Sequence, residues 1–415
     1  MTTSTGRSAG SPAESAKKVQ RAALPVAGFM AAGIHAGIKP AARDLALIVA
    51  EEPASVAAVF TRSTVVGAPV EVSREHLRLG STRAVFVNSG CSNVAMGARG
   101  VRDARAMARL AARSIGCDEQ QVLVASTGVI GEPLPLDRIR AALPRLVGAL
   151  ASDGWQTAAE AIRTTDTHAK LASSRFRCGG RWLTITGIAK GSGMIEPNMA
   201  TMLSFLATDA RIATGVLRGL LKRVADQTYN RLTVDGEGST SDTVVLMASG
   251  RAGGPTLRAA TPELRAFEAA LRAVCEDLVR QLARDGEGAT KLLTVVVRGA
   301  RSEAQADRAA RRIANSMLVK TALYGGDPNW GRIMQTIGAG QVDWNPQTSR
   351  VRVAGVPVFS RGRSAGPAAR ERAERALQAE EVTIEVDLGR GAGSARIFSC
   401  DLTEEYIRIN ADYTT

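Results

Sequence analysis

The segment Lys190-Gly-Ser-Gly-Met-Ile-Glu-Pro-Asn-Met-Ala-Thr-Met-Leu203 combines a glycine-bearing loop with a threonine that precedes an apolar run over residues 202–207. A threonine hydroxyl is a poor nucleophile unless a base lies beside it. Cutting the chain just before a threonine supplies such a base, because the freed α-amine can accept the hydroxyl proton. The segment therefore predicts a precursor that cleaves itself between Ala200 and Thr201 and then uses Thr201 as a nucleophile. An ordinary turn followed by a strand is the structural alternative.

The chain offers few histidines that could serve as the base instead. Only His35, His76 and His168 occur, and none lies in a recognisable nucleophile–base arrangement. A serine–histidine–aspartate triad is therefore poorly supported. A free α-amine has a pKa of about 7.7–8.0, which suits a general base near neutral pH. Thr201 can then supply both the nucleophile and the base.

Around this segment, apolar strands alternate with amphipathic helices, which predicts an α/β fold. The strand over residues 292–297 is so apolar that both faces of its sheet are expected to be covered by helices. The other predicted strands are residues 45–49, 55–60, 84–87, 122–125, 182–186, 243–247, 351–358, 382–386 and 395–400. The predicted helices are residues 101–115, 136–150, 155–162, 212–225 and 304–323, and one that begins after Thr261 as N-cap and ends near residue 284.

Two polar turns could place chemical groups beside Thr201. Residues 126–128 (Ser-Thr-Gly) follow a strand and could supply backbone N–H groups and a hydroxyl to an oxyanion hole, although this composition is common in turns. Glu287 lies in a glycine-flanked turn over residues 285–291. There it could bind a substrate ammonium, and a solvated carboxylate is the alternative.

Two further polar segments have structural interpretations. Residues 164–167 (Thr-Thr-Asp-Thr) follow a helix, and their composition fits helix capping. Residues 325–332 predict a packed loop in which Asp327 and Arg332 have structural roles.

The composition predicts a cytoplasmic globular protein. Of the 415 residues, 45% are hydrophobic and 22% are charged, and no apolar run approaches the roughly 20 residues of a membrane span. Residues 1–22 lack the apolar stretch of a secretory signal, which predicts a disordered leader. The five cysteines lie far apart without a CxxC pair, so neither a metal site nor a disulfide framework is expected.

The net charge of +13 raises the question of nucleic-acid binding. The basic residues are mostly arginines spread along amphipathic helices, and aromatic residues make up only 4% of the chain. No RNA-binding aromatic motif accompanies them, so nucleic acid is not an expected partner. Neither a GxGxxG motif nor a P-loop is present, and no nucleotide cofactor is expected.

Taken together, these motifs resemble the ornithine acetyltransferase (glutamate N-acetyltransferase) family of arginine biosynthesis. The segment around Thr201 and the C-terminal tail are the most specific, and finding all the motifs in order makes chance implausible. The matching segments span almost the whole chain after the leader: residues 37–39, 44–48, 68–70, 126–131, 164–167, 189–203, 208–210, 285–291, 327–332 and 406–415.

The resemblance implies a layered α/β/β/α sandwich with two central sheets. It also implies an α chain of residues 23–200 and a β chain of residues 201–415, assembled as an α2β2 heterotetramer or larger. The implied reaction moves an acetyl group from N-acetylornithine to glutamate through an acetyl–Thr201 intermediate in a ping-pong cycle. No cofactor is implied, and acetyl-CoA stays open as a further acetyl donor.

Residue by residue, the resemblance implies a set of roles. Thr127 and Gly128 match the oxyanion hole of the family. Lys190 would meet the substrate carboxylate, and Glu287 would meet a cationic side chain or an α-amine. The positions that match the substrate-binding residues are Thr164, Lys190, Thr201, Glu287, Asn410 and Thr415.

The chain departs from the family pattern at residues 91–94, at Gly238 and Ser241, and at His168. These departures concern substrate preference more than reaction type. A paralogue acting on another N-acylated amino acid is therefore an alternative. So is a hydrolase or aminopeptidase with the same N-terminal nucleophile, which transfers the acyl group to water. A basic binding protein without catalysis is the third class.

Overall fold

The structure is a computed structural model that describes residues 19–196 and 202–412. Some residues named in the sequence predictions lie outside the described part of the chain: residues 1–18, Ala200, Thr201 and Thr415. At the end of the predicted leader, Gln20 exchanges backbone hydrogen bonds with Ser173.

The described residues form fourteen strands and eleven α-helices. The strands are β1 (Phe29–Ile34), β2 (Leu45–Phe60), β3 (Ser81–Cys91), β4 (Val122–Val129), β5 (Lys170–Cys178), β6 (Arg181–Lys190), β7 (Leu203–Thr208), β8 (Thr243–Ala248), β9 (Leu292–Ala300), β10 (Arg350–Val353), β11 (Val356–Ser360), β12 (Arg363–Ser364), β13 (Glu381–Asp387) and β14 (Gly393–Cys400). The helices are α1 (Ala68–His76), α2 (Gly97–Ile115), α3 (Leu136–Gly148), α4 (Trp155–Ala161), α5 (Thr214–Gln227), α6 (Pro262–Arg284), α7 (Glu303–Asn315), α8 (Met317–Tyr324), α9 (Trp330–Ala339), α10 (Pro367–Ala376) and α11 (Glu404–Asp412).

The first sheet contains strands from both sides of the predicted cleavage bond. Its order is β4-β3-β2-β8-β7-β6-β5, and β1 pairs with β2 outside this path. Strand β7 pairs antiparallel with β6 and parallel with β8. At the end of β6, Lys190 lies opposite Leu203, the first residue of β7. The last residue of β6 and the first residue of β7 are therefore neighbours in the sheet, although twelve residues separate them in the chain.

The second sheet is built from residues after 291, in the order β12-β11-β10-β13-β9-β14. Strand β9 pairs parallel with β13 and antiparallel with β14. Helix α6 contacts β5 and β6 of the first sheet and β9 and β14 of the second, so it joins the two sheets. The predicted layered α/β fold is confirmed.

Both faces of the first sheet are covered. On one face Leu47 and Phe86 pack in the same core cluster as Met107 of α2. On the other face Ile48 packs in a cluster with Trp155 of α4, which is fully buried. All residues of β7 and of β8 are buried, as expected for strands in the interior of a covered sheet. None of the described helices has both the length and the apolar character needed to cross a membrane.

The two strands predicted over residues 45–49 and 55–60 are one strand, β2. Its first half pairs with β1 and β3, and its second half pairs with β8. The register against β3 shifts between Val49 and Ala54, where three consecutive residues are exposed. The polar residues in the middle of the strand mark this irregularity rather than a chain reversal, so the prediction of two strands was wrong.

The helix predicted over residues 304–323 is two helices, α7 and α8. The break lies at Ser316, whose extended backbone ends α7 and whose side chain accepts the backbone N–H of Val319 at 3.3 Å to cap α8. The loop predicted over residues 325–332 likewise passes into a helix. Asn329 caps α9 by accepting the N–H of Arg332 at 3.1 Å.

The strand predicted over residues 351–358 is a hairpin of β10 and β11. Its turn is formed by Ala354 and Gly355, which both have positive φ angles, of 48° and 78°. An alanine in this conformation is uncommon, and its apolar side chain gives no sign of a turn in the sequence. The prediction of one strand was therefore wrong.

The predicted N-cap of α6 supplies a test of local stability. The side chain of Thr261 accepts the backbone N–H of Leu264 at 3.2 Å. We expect Thr261→Ala to lower the free energy of unfolding by about 1 kcal/mol, because the N–H loses its acceptor. Thr261→Asp, which keeps an acceptor, is the control and should retain most of the stability in urea unfolding. Equal losses in both variants would contradict the capping role.

Candidate active site

One cleft of about 800 Å³, including its open mouth, brings together the predicted site residues that the structure describes. Met202, which follows Thr201 in the chain, also lines this cleft. Thr201 and Thr415 themselves lie outside the described residues. The predicted residues that line the cleft are Thr127, Gly128, Thr164, Lys190, Glu287 and Asn410.

Lys190 supplies a cation at the end of β6. Its side chain is largely buried, and its Nζ donates to Thr164 Oγ1 at 2.7 Å and to Thr127 Oγ1 at 3.2 Å. Burial lowers the pKa of Lys190, and the Asp166 carboxylate opposes this effect. Both hydroxyl partners are uncharged, so the ammonium is placed to attract a carboxylate that enters the cleft.

Glu287 supplies the opposite charge in the same cleft. Its backbone N–H donates to the Ser192 carbonyl at 2.9 Å, and Asn410 Nδ2 donates to Glu287 Oε2 at 2.7 Å. The carboxylate lies so close to Gly193 that a Cβ atom there would be 2.3 Å from Oε2. Glycine at position 193 therefore leaves room for the carboxylate beside the segment that leads to the predicted cleavage bond.

Gly128 lies where β3 and β4 depart from regular pairing. Cys91 is opposite both Thr127 and Val129, which marks a bulge in the ladder. Gly128 has a φ of 126°, and a Cβ atom there would lie 2.4 Å from the carbonyl carbon of Gly90. Bulges release backbone groups from strand pairing, and an oxyanion hole needs such groups. The oxyanion role of Thr127 and Gly128 stays a prediction.

The segment that leaves β6 is anchored by carboxylates from other parts of the chain. Gly191 donates its N–H to Asp166 Oδ1 at 2.7 Å. Met194 and Ile195 donate theirs to the two carboxylate oxygens of Asp235, at 2.7 and 2.8 Å. Sequence reasoning missed Asp235, which lies in a glycine-rich segment whose polar composition was the only signal of its role.

Sequence reasoning also missed a buried charge cluster behind the cleft. Lys170 Nζ lies 2.6 Å from Asp166 Oδ1 and 2.5 Å from Asp285 Oδ2, and Lys170 is fully buried. Burial alone would raise the pKa of Asp166, but the ammonium groups of Lys170 and Lys190 bring that pKa below its usual range. Asp166 and Asp285 belong to motifs seen in the sequence, but Lys170 gave no signal because buried lysines are rare.

The histidines and cysteines of the described chain do not build a metal site. Within residues 19–196 and 202–412, no group of three histidine, cysteine, aspartate or glutamate residues lies close enough to hold a metal ion. His76 Nδ1 contacts the Val122 carbonyl at 2.8 Å, and His168 Nδ1 lies 3.4 Å from Asp285 on the outer side of the charge cluster. All five cysteines are free thiols.

Gly128→Ala tests whether the bulge beside the cleft requires glycine. We expect a loss of at least about 2 kcal/mol in the free energy of unfolding, because the methyl group would meet the backbone of Gly90 in addition to the strain of the positive φ. Gly131→Ala is the matched control, because Gly131 has a φ of 82° but nothing lies within 4 Å of its Cβ position. Urea unfolding of both variants separates the contact with the Gly90 backbone from the strain of the positive φ. Equal losses in the free energy of unfolding would show that this contact costs nothing.

The ArgJ family matches residues 30–415 of this chain. The arginine biosynthesis bifunctional protein ArgJ of Geobacillus kaustophilus is 46% identical over 389 residues, which are 94% of this chain and 95% of that protein. The protein of the same name from Methylococcus capsulatus is 45% identical over 393 residues, which are 94% of this chain and 96% of that protein. A crystal structure of the protein of this name from Bacillus halodurans is 45% identical, with a TM-score of 0.50. The match covers 51% of this chain and 100% of the solved chain.

These matches extend over the same part of the chain as the motifs found in the sequence, and the predicted family resemblance is confirmed. Since the family match includes most of the chain and the relatives cover nearly all of it, the chain belongs to the ArgJ family.

Proposed function

We propose that this chain is a glutamate N-acetyltransferase that carries an acetyl group from N-acetylornithine to glutamate on Thr201. The observation that carries the proposal is the pair of opposite charges, Lys190 and Glu287, on one cleft that Met202 also lines. Amino acids combine a carboxylate with an ammonium, so a cleft with both complementary charges suits them. Membership of the ArgJ family, whose relatives are named for arginine biosynthesis, supports the same substrate class.

The cleft assigns each end of the substrate to one residue. The α-carboxylate would lie on Lys190, where Thr164 and Thr127 already bond the ammonium from one side. Glu287 would accept hydrogen bonds from the side-chain ammonium of the ornithine donor, or from the α-ammonium of the incoming glutamate. Asn410 donates to the Glu287 carboxylate and so orients it.

In the first half-reaction, the Thr201 hydroxyl attacks the acetyl carbonyl carbon of N-acetylornithine, and the α-amine of Thr201 accepts the hydroxyl proton. The oxyanion would lie against the bulge at Thr127 and Gly128. The bond between the acetyl carbon and the substrate nitrogen then breaks, and that nitrogen takes the proton from the α-ammonium. Ornithine leaves, and the acetyl group remains as an ester on Thr201.

In the second half-reaction, the α-ammonium of the bound glutamate first gives one proton to water, and the neutral amine then attacks the ester carbonyl carbon. The ester bond to Thr201 breaks, and the α-amine transfers the proton of the attacking nitrogen to the Thr201 oxygen. N-acetylglutamate leaves, and the hydroxyl and the free α-amine of Thr201 are restored. The cycle consumes no cofactor, and acetyl-CoA would enter only as another donor for the first half-reaction.

We further propose that the chain cleaves itself between Ala200 and Thr201 to expose that α-amine. The pairing of Lys190 with Leu203 brings the two ends of the segment together, and Asp235 holds Met194 and Ile195 on the α-chain side of the bond. Such anchoring supports a constrained backbone ahead of the bond. A division near the middle also agrees with the solved Bacillus halodurans chain, whose full length matches about half of this chain.

We also propose which chains the cleavage produces, how they assemble and in which compartment the enzyme works. The α chain would comprise residues 23–200 and the β chain residues 201–415, assembled as an α2β2 heterotetramer. The shared first sheet supports a lasting association, because β6 and β7 would belong to different chains and still pair. We place the enzyme in the cytoplasm, and the five free thiols support a reducing compartment.

Thr201→Ala tests cleavage and turnover together. We expect the variant to remain one band near 43.5 kDa, whereas the parent protein gives two fragments near half that size. We also expect no transfer from N-acetylornithine to glutamate, because the nucleophile and its base are both lost. Intact mass, N-terminal sequencing and a coupled ornithine assay give the readouts.

Two outcomes would contradict this proposal. Cleavage of purified Thr201→Ala at the same bond would refute the self-cleavage mechanism. If the parent protein released acetate at an unchanged rate when glutamate was added and formed no N-acetylglutamate, it would be a hydrolase rather than a transferase. Other N-acylated amino acids, tested as donors, would reveal a paralogue with a different preference.

Lys190→Met tests the carboxylate site. We expect the KM for N-acetylornithine to rise about 10- to 100-fold, because one charge-assisted hydrogen bond is lost. In the parent protein the KM should rise as the pH increases toward 10.5, since burial lowers the pKa of Lys190 from that ordinary value and the ammonium is lost earlier. The variant should show a smaller rise that begins at higher pH, because only the side-chain ammonium of the substrate then loses its proton.

Lys222→Met is the matched control for Lys190→Met. Lys222 is an exposed lysine on α5 that pairs with Asp226 in the same helix. Its loss removes the same charge without touching the cleft, so kinetics should stay at the parent values. A KM that Lys190→Met leaves unchanged would exclude the assigned carboxylate site.

A further inference from the structure

We infer that Lys170, a fully buried lysine behind the cleft, is a positioning residue that keeps Lys190 available for the substrate carboxylate. The inference rests on the proposed function, because it assigns Lys190 the role proposed above. Lys170 is the first residue of β5 and does not line the cleft, so it does not touch substrate. It acts through the two carboxylates that it bonds.

Those two carboxylates connect the segments that form the cleft. Asp166 accepts the backbone N–H of Thr164 at 3.0 Å and that of Gly191 at 2.7 Å. These two N–H groups belong to the residue that bonds the Lys190 ammonium and to the residue that follows Lys190. Asp285 accepts the backbone N–H of Thr167 at 3.0 Å and begins the turn that carries Glu287.

The charges in this cluster explain why Lys190 is left with uncharged partners. Asp166 is buried, and its oxygens already accept from Lys170, Gly191 and Thr164. Lys190 is close enough to Asp166 to interact with it electrostatically, but its hydrogen bonds go to hydroxyl groups. Lys170 therefore forms the ion pair with Asp166 that Lys190 would otherwise form.

Removing the charge at position 170 should redirect Lys190. A buried carboxylate that loses its partner is strongly unfavourable, and Lys190, a buried ammonium that already interacts electrostatically with Asp166, would then replace Lys170 as its partner. An ion pair between Lys190 and Asp166 would draw the ammonium away from Thr127 and Thr164. The substrate carboxylate would meet a cation that is already neutralised.

The first variant is Lys170→Met, which preserves side-chain length and removes the charge. We expect the KM for N-acetylornithine, the KM for glutamate and the Kd for ornithine to rise about tenfold or more, with a smaller change in kcat. Calorimetry measures ornithine binding without turnover. A purely structural role would lower the amount of folded enzyme and leave KM and Kd unchanged.

The second variant, Lys170→Met with Asp285→Asn, separates positioning from stability. It removes one charge of each sign, and an amide at position 285 can still accept the Thr167 N–H and donate to the Thr167 hydroxyl. We expect the Tm to recover toward the parent value, because the second buried carboxylate is gone. The KM and Kd should stay raised, because Asp166 still lacks Lys170.

Leu146→Ala is the control for stability alone. Leu146 is fully buried in the core under α3, so its truncation should lower the Tm without changing KM or Kd. If Lys170→Met does not accumulate as folded protein, the KM and Kd of the double variant test the positioning role instead. Parent values of KM and Kd in the double variant would overturn the inference. A parent protein without transferase activity would instead refute the proposed function, so the two failures are distinguishable.

Discussion

The antiparallel pairing of β6 with β7 is the constraint on which the rest of the site depends. It sets Lys190 opposite Leu203, so the residue that carries the cation and the residues next to Thr201 begin and end one loop. A slip of one residue would turn Lys190 to the other face of the sheet. Both strands are almost wholly buried, so such a slip would also disrupt the packing of their side chains.

The site then depends on how buried charges are shared. Two lysines and two aspartates lie behind or within the cleft, and burying any of them alone would be costly. Lys170 bonds both aspartates, which leaves Lys190 with hydroxyl groups and Glu287 with an amide. The pairing that stabilises the fold thus leaves Lys190 and Glu287 on the wall of the cleft, where their opposite charges complement a zwitterionic substrate.

Sequence reasoning succeeded where the signal is local and failed where it depends on distant partners. The end of α2 at Ile115, directly before the left-handed Gly116, and the cap of α6 at Thr261 are set by neighbouring residues, and both predictions were confirmed. The cleft residues were found through a family resemblance, because their separations of up to 283 residues leave no trace in local pattern. Lys170 was missed because its burial depends on two carboxylates at once, Asp166 nearby in the chain and Asp285, which lies 115 residues away.

A break between Ala200 and Thr201 would fall in the chain between Lys190 and Leu203, the last and first residues of β6 and β7, so it would leave the described pairing of these strands intact. Each of the six residues of β7 would still lie between a strand of the α chain and a strand of the β chain. The new α-amine would also emerge next to Met202, at the cleft where Lys190 and Glu287 already face each other. The fold can therefore be complete before the proposed cleavage, which would then add the base that a threonine hydroxyl lacks.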